Sequence, residues 1–181
     1  MDLQQIEKIF LERQSCREFI DKDVPDEIIQ EICRVALLAP SACNCQPWKI
    51  VAVKGEKKNS IVKSVQGMGM NKFVDKAPVL IALVEGKGNF LTTLGDKAKH
   101  TDFVHNDIGI LQAHLVLAAH SAGLSTCILG WRNETAIGKA LGLGKNAKIP
   151  VMIALGYAPT DYPVRPKKRK LLSETYALII E

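Results

Sequence analysis

Two short polar clusters interrupt an otherwise apolar chain, and both carry side chains better suited to holding a ligand than to breaking a bond. Arg13-Gln14-Ser15-Cys16-Arg17 closes the first helical pattern. Its guanidinium groups and hydroxyl are charge-assisted donors of the kind that hold a phosphate and the polar chain attached to it. The second cluster is Pro40-Ser41-Ala42-Cys43-Asn44-Cys45-Gln46-Pro47-Trp48, set between a helical run and a β-rich run. Its prolines fix φ and remove donors, so the helix cannot continue and the strand cannot start early. Ser41 and Asn44 can hydrogen-bond the edge of a flat heterocycle, although a helix stop followed by a turn accounts for the prolines equally well. Leu129-Gly130 ends a short strand pattern and offers backbone groups with no large side chain in the way. Lys167 and Arg169, in a late basic run, bring further charge to an anion.

The charge is local. Lys and Arg number 24 against 19 acids, a net +5, and Arg165, Lys167, Lys168, Arg169 and Lys170 supply five cations, so the rest of the chain is neutral. That run reads as a solvated linker, as a phosphate contact or, last, as a nucleic-acid contact. A general nucleic-acid binder spreads its cations over a face with aromatics interleaved. The five cysteines, Cys16, Cys33, Cys43, Cys45 and Cys127, form an odd set without framework spacing, which fits free thiols in a reducing cytoplasm. The first residues hold an early acid and no apolar signal core, and no run approaches the ~18 apolar residues of a membrane span.

Several catalytic templates fail. Gly138, Gly142 and Gly144-Lys145 lack phosphate-loop spacing, and Gly67-Met68-Gly69 and Gly86-Lys87-Gly88 lack the third glycine of a dinucleotide fingerprint. His100, His105, His114 and His120 have no metal-ligand spacing, and Cys43-x-Cys45 lacks two further ligands, so no metal is expected. No nucleophile elbow is present. Donors without a catalytic side chain point to a bound organic cofactor that carries the reactivity itself.

The elements that must position these residues alternate along the chain. Leu3, Ile6, Ile9 and Phe10 recur at helical spacing, and Pro25-Asp26-Glu27 starts a second helix with Ile28, Ile29, Ile32, Val35 and Ala36 as its buried stripe. Strands are expected over 48–54, 77–84, 125–129 and 150–156, and helices over 56–66, 102–122 and 134–141. The helix over 102–122 is apolar around most of its girth and so belongs at the centre. Residues 86–101 read as a polar surface excursion. A final apolar strand over 177–180 has little of its own core left to join, so it is expected to pair with another subunit.

In order, Arg13-x-Ser15-x-Arg17, Pro40-Ser41-x-x-Asn44-x-Gln46-Pro47-Trp48, Ala118-Ala119-x-x-x-Gly123-Leu124-x-Thr126-Cys127-x-x-Gly130-Trp131 and Lys167-x-Arg169-Lys170-x-Leu172-x-Glu174 resemble the nitroreductase family. The resemblance runs from about residue 6 to 177, with little signature over 55–105, and implies one domain spanning 1–181. The implied fold is α+β, a mixed and mostly antiparallel sheet flanked by helices, in an intertwined homodimer that exchanges C-terminal strands. FMN is the implied cofactor, one at each subunit interface. Arg13, Gln14 and Ser15 would meet its phosphate and ribityl chain, with Lys167 and Arg169 closing on the phosphate. Arg17 would lie near the N1–O2 edge, and Leu129 and Gly130 near N5. Pro40, Ser41, Ala42 and Asn44 would border the ring from the partner subunit, Ala42 standing where the family often has a second serine. Cys16 and Cys43 are unusual there, which implies oxidation-sensitive thiols.

The implied activity is reduction of nitroaromatic, quinone or similar small-molecule acceptors. Electrons would come from NADH or NADPH, by ping-pong hydride transfer through flavin N5. Two alternatives use the same residues. One is different flavin chemistry on the same scaffold, dehalogenation or flavin breakdown. The other is a non-enzymatic flavin or nucleic-acid binding module built on the basic run.

Overall fold

The computed structural model describes residues 2–88, 101–144 and 146–180. Most of the expected surface excursion, including His100, lies outside the described residues, as does Lys145. Four strands form one sheet in the order β1-β2-β4-β3, every pair antiparallel: β1 (Trp48–Val53), β2 (Val79–Glu85), β3 (Ser125–Leu129) and β4 (Val151–Gly156). Among the described residues the mixed character is confined to one parallel bridge, Ser15 to Thr126, on the outer side of β3.

Period-two alternation in the central strands makes the two layers around the sheet. Leu80, Ala82 and Val84 of β2, with Met152 and Ala154 of β4, face one helical layer: α3 (Gly55–Val65), through Ile61, Val62 and Val65, and α5 (Glu134–Leu141), through Ile137. Val79, Ile81 and Leu83, with Val151, Ile153 and Leu155, face the other. That second layer is α2 (Asp26–Ala36), through Ile29, Ile32 and Ala36, and α4 (Phe103–Ser121), through Ile108, Leu111, Leu115, Val116 and Ala119. α2 begins after Pro25 with Asp26 and Glu27 in its first turn, where carboxylates favour the positive helix end. α4 is capped by Asp102, whose side chain accepts the His105 N–H at 3.0 Å.

β2 starts at Val79 rather than at residue 77 because Pro78 has no N–H for the ladder. α1 (Leu3–Glu12) buries no residue in this chain, and Leu3, Phe10 and Leu11 are exposed. The expected final strand over 177–180 has no ladder partner among the described residues. After a single helical turn, α6 (Leu172–Thr175), Leu178, Ile179 and Ile180 stand exposed.

Candidate functional site

The bridge from Ser15 to Thr126, reinforced by the Cys16 N–H donating to the Thr126 carbonyl at 2.8 Å, lays residues 13–17 along the outer strand β3. The late basic run folds back onto the same place. Lys167 Nζ donates to the Arg13 carbonyl at 2.6 Å, and the Arg165 backbone N–H and Nε both donate to Gln14 Oε1, at 3.1 and 3.0 Å. Arg165 also donates to the Ser15 carbonyl, Gln14 Nε2 donates to the Pro163 carbonyl at 2.8 Å, and the Arg17 N–H donates to the Tyr162 hydroxyl at 3.0 Å. Of the three readings of the run, a solvated linker does not describe Arg165 and Lys167. Arg169 stays exposed, its guanidinium on the neighbouring Lys168 carbonyl.

Among the described residues no carboxylate pairs with Arg13, Arg17, Arg165, Lys167 or Arg169. Their crowding is felt at Lys167, whose pKa is held below the ordinary lysine value by desolvation first, then by Arg13, Arg169 and Arg165. Cations gathered against mutual repulsion, with no carboxylate paired to them among the described residues, have the charge to hold an anion.

Four residues along β3 the chemistry of the surface changes. Leu129 is buried, and Gly130 follows it exposed, with open space where a side chain would stand. At the usual strand rise, Thr126 and Gly130 are about 13 Å apart. Beside Gly130 lies a cleft of about 700 Å³ lined by Lys63, Gln66, Trp131 and Asn133. The half-exposed Trp131 indole presses on Gly67 so closely that a Cβ there would sit 1.9 Å from Nε1.

The Pro40–Trp48 loop is not part of that surface in the single chain. Register places Trp48 and Leu129 at the same end of the sheet but on its two outer strands, three spacings or about 14 Å apart. The structure therefore brings Arg13, Gln14, Ser15, Arg17, Lys167 and Arg169 together, with Leu129 and Gly130 further along the same strand. It leaves Pro40, Ser41, Ala42 and Asn44 at the far edge. Much of the loop's own hydrogen bonding is already committed. Ser41 Oγ accepts the Gln46 N–H at 2.9 Å, Asn44 Oδ1 accepts from Gln46 Nε2 at 3.2 Å, and the Ala42 N–H is given to Asp107. Donors remain on the Ser41 hydroxyl and the Asn44 amide nitrogen.

Sequence reasoning missed three residues here. The sequence marks Arg165 only as part of the basic run, although it bonds Gln14 and Ser15. Tyr162 braces Arg17. Asp107, a lone acid on the buried side of an apolar helix, was a legible signal of a polar task. The expected reactive pair Cys16 and Cys43 divides: Cys43 is exposed, whereas Cys16 is buried and burial pushes its thiol pKa up.

Residues 10–157 match the family model described as the nitroreductase family. The chain belongs to the nitroreductase family. An NADH dehydrogenase from Thermus thermophilus is 30% identical to this nitroreductase-family chain, over 84% of the chain and 87% of that protein. An iodotyrosine deiodinase from Hydra vulgaris is 29% identical over 90% of the chain and 68% of its own length. Among solved structures, a nitroreductase family protein from Streptococcus pneumoniae superposes with a TM-score of 0.80 at 24% identity, covering 96% of this chain and all of that one. The FMN-dependent nitroreductase of Mycobacterium smegmatis, solved in complex with NADPH, gives 0.79 at 20% identity, covering 99% of this chain and 100% of that one. The nitroreductase fold expected for this α+β chain is the fold it has.

Proposed function

We propose that this nitroreductase-family oxidoreductase binds FMN, takes electrons from NADH or NADPH, and reduces nitroaromatic, quinone or similar acceptors as a homodimer. The observation that carries the reading is the run of cations, without a carboxylate partner among the described residues, at one end of β3 with the open backbone of Gly130 at the other. When bound, FMN supplies hydride acceptance from the nicotinamide and delivery of electrons to the acceptor.

The chain's own residues set the conditions. Arg13, Arg165, Lys167 and Arg169 hold the phosphate, and Gln14 and Ser15 serve the polar chain beyond it. Arg17 places positive charge where the ring gains negative charge on reduction. Leu129 shields the ring's edge from water, and Gly130 admits it to close backbone approach. The cleft beside Trp131 admits donor and acceptor in turn. Pro40, Ser41, Ala42 and Asn44 complete the site from the partner subunit, because the sheet's width keeps them from the cations of their own chain. The second copy covers the apolar groove of about 490 Å³ between α1, α2 and α4, lined by Ile6, Phe10, Ile32 and Leu117. The exposed tail over 177–180 joins the partner.

Steady-state kinetics on FMN-loaded protein tests this reading. Parallel double-reciprocal lines at several acceptor concentrations are expected, intersecting lines contradict alternation at one site, and no turnover with either nucleotide contradicts the oxidoreductase. A second reading, reductive dehalogenation, is favoured by the similarity to the Hydra deiodinase. Iodide release from iodotyrosine by the chemically reduced holoprotein separates the two.

A further inference from the structure

α4 packs onto the sheet through aliphatic side chains, yet Asp107 lies on its buried side with 4% of its surface exposed, the only acidic residue buried as a whole among the described residues. A carboxylate in that position must be hydrogen-bonded to be tolerated. Its partner is a backbone group in the Pro40–Trp48 loop: the Ala42 N–H donates to both oxygens, at 3.1 and 3.2 Å, across 65 positions of sequence. No cation pairs with it among the described residues.

The loop needs holding. Cys43, Asn44 and Gln46 all have positive φ, at 51°, 49° and 49°, in a region that side-chain-bearing residues enter at a cost and keep only when the surroundings impose it. Within the loop, the Asn44 N–H donates to the Ser41 carbonyl and the Cys45 N–H to the Ala42 carbonyl, each at 3.0 Å. These bonds make the turn but do not tie it to the rest of the molecule. Behind the turn the Cys45 Sγ donates to the Lys87 carbonyl at 3.9 Å and the Gly86 N–H to the Pro47 carbonyl at 2.9 Å; at the head of the loop Asp107 holds Ala42. With its N–H given to Asp107, Ala42 has no backbone donor left for a ligand.

We infer that Asp107 is a positioning residue for the cofactor, anchoring Ala42 so that the left-handed turn presents the Ser41 hydroxyl and Asn44 amide to the flavin of the partner subunit. This rests on the flavin reading above. The anchor has two ends, and each can be removed separately. Asp107→Ala deletes the acceptor, and Asp107→Asn keeps one acceptor oxygen without the charge. Ala42→Pro deletes the donor at the first position of a 3-10 turn, after a Ser41 already extended (φ −144°, ψ 157°) as the residue before proline must be.

FMN titration of the full-length dimer by flavin fluorescence, with thermal unfolding run beside it, is the test. Asp107→Ala and Ala42→Pro are each expected to weaken FMN by roughly tenfold or more and to shift the bound flavin's visible spectrum. Asp107→Asn is expected to stay within about threefold of the unaltered chain, and the double variant to lose no more than either single one, since both remove the same bond. Folded Asp107→Ala protein with unaltered FMN affinity would overturn the inference, as would additive losses in the double variant. Should Asp107→Ala not fold, Ala42→Pro decides alone: unaltered affinity overturns the inference and the expected loss supports it. Failure of the unaltered chain to bind FMN overturns the flavin reading itself, and this inference with it.

Discussion

Lys167 Nζ donates to the Arg13 carbonyl at 2.6 Å, joining two cations that lie 154 positions apart in the chain. The bond fixes the lysine beside residues 13–17 before any ligand arrives, so less of its freedom is lost when an anion binds. Replacing Lys167 with alanine is therefore expected to weaken FMN by roughly tenfold to a hundredfold, the effect of losing a charge-assisted contact of about 1.5–3 kcal/mol. Riboflavin, which has the ring but no phosphate, should be unaffected. Calorimetric titration of both ligands checks this, and equal losses would place the phosphate elsewhere.

The same crowding has a pH signature. Desolvation and the neighbouring Arg13, Arg169 and Arg165 depress the Lys167 pKa. Between its folded and unfolded values the unfolded chain binds more protons, so the ligand-free protein gains stability as pH rises through that alkaline window. The gain is small because Lys167 is partly solvated. FMN reverses the sign: its phosphate favours the protonated amine, so affinity falls over the same window. Denaturant unfolding without ligand and FMN titration, both run from neutral to alkaline pH, should move in opposite directions.

Gly86 is required by a close approach. A Cβ there would sit 2.9 Å from the Pro47 carbonyl carbon and 3.0 Å from the Trp48 nitrogen, both backbone atoms that cannot step aside. Gly86→Ala is expected to cost about 1–3 kcal/mol, as overpacking does. It should also loosen the tail of the Pro40–Trp48 loop, lowering both the melting temperature and FMN affinity in one variant. Thermal unfolding at unchanged midpoint would contradict the contact.

The thiols should separate by burial. Cys16 and Cys127 are 1% and 3% exposed, with their pKa values raised chiefly by burial, whereas Cys43 is exposed. A maleimide should modify Cys43 first and reach Cys16 and Cys127 only on unfolding, as mass spectrometry of timed samples would show. FMN should slow the Cys43 reaction, because its loop borders the ring.

Much of this was legible in the chain because it depends on local pattern. The helix over 134–141 and the strand over 125–129 have the bounds that periodicity gives them. Long-range pairing was not legible in the same way. Nothing near Arg165 in sequence indicates Gln14, and nothing near Ala42 indicates Asp107, since each partner is supplied by the sheet order and helix packing. The segment over 177–180 is apolar as a strand would be but joins none among the described residues, because a ladder is a property of two segments. Site chemistry was readable as residue types, and its division between two subunits only from the family resemblance, for which the sheet order supplies the physical reason.

The most direct test is anaerobic. FMN-loaded protein, mixed with NADH or NADPH in the absence of oxygen, should lose its yellow absorbance and regain it on addition of a quinone or nitroaromatic, in proportion to the acceptor added. A bound flavin that stays yellow with both nucleotides would contradict the proposed activity.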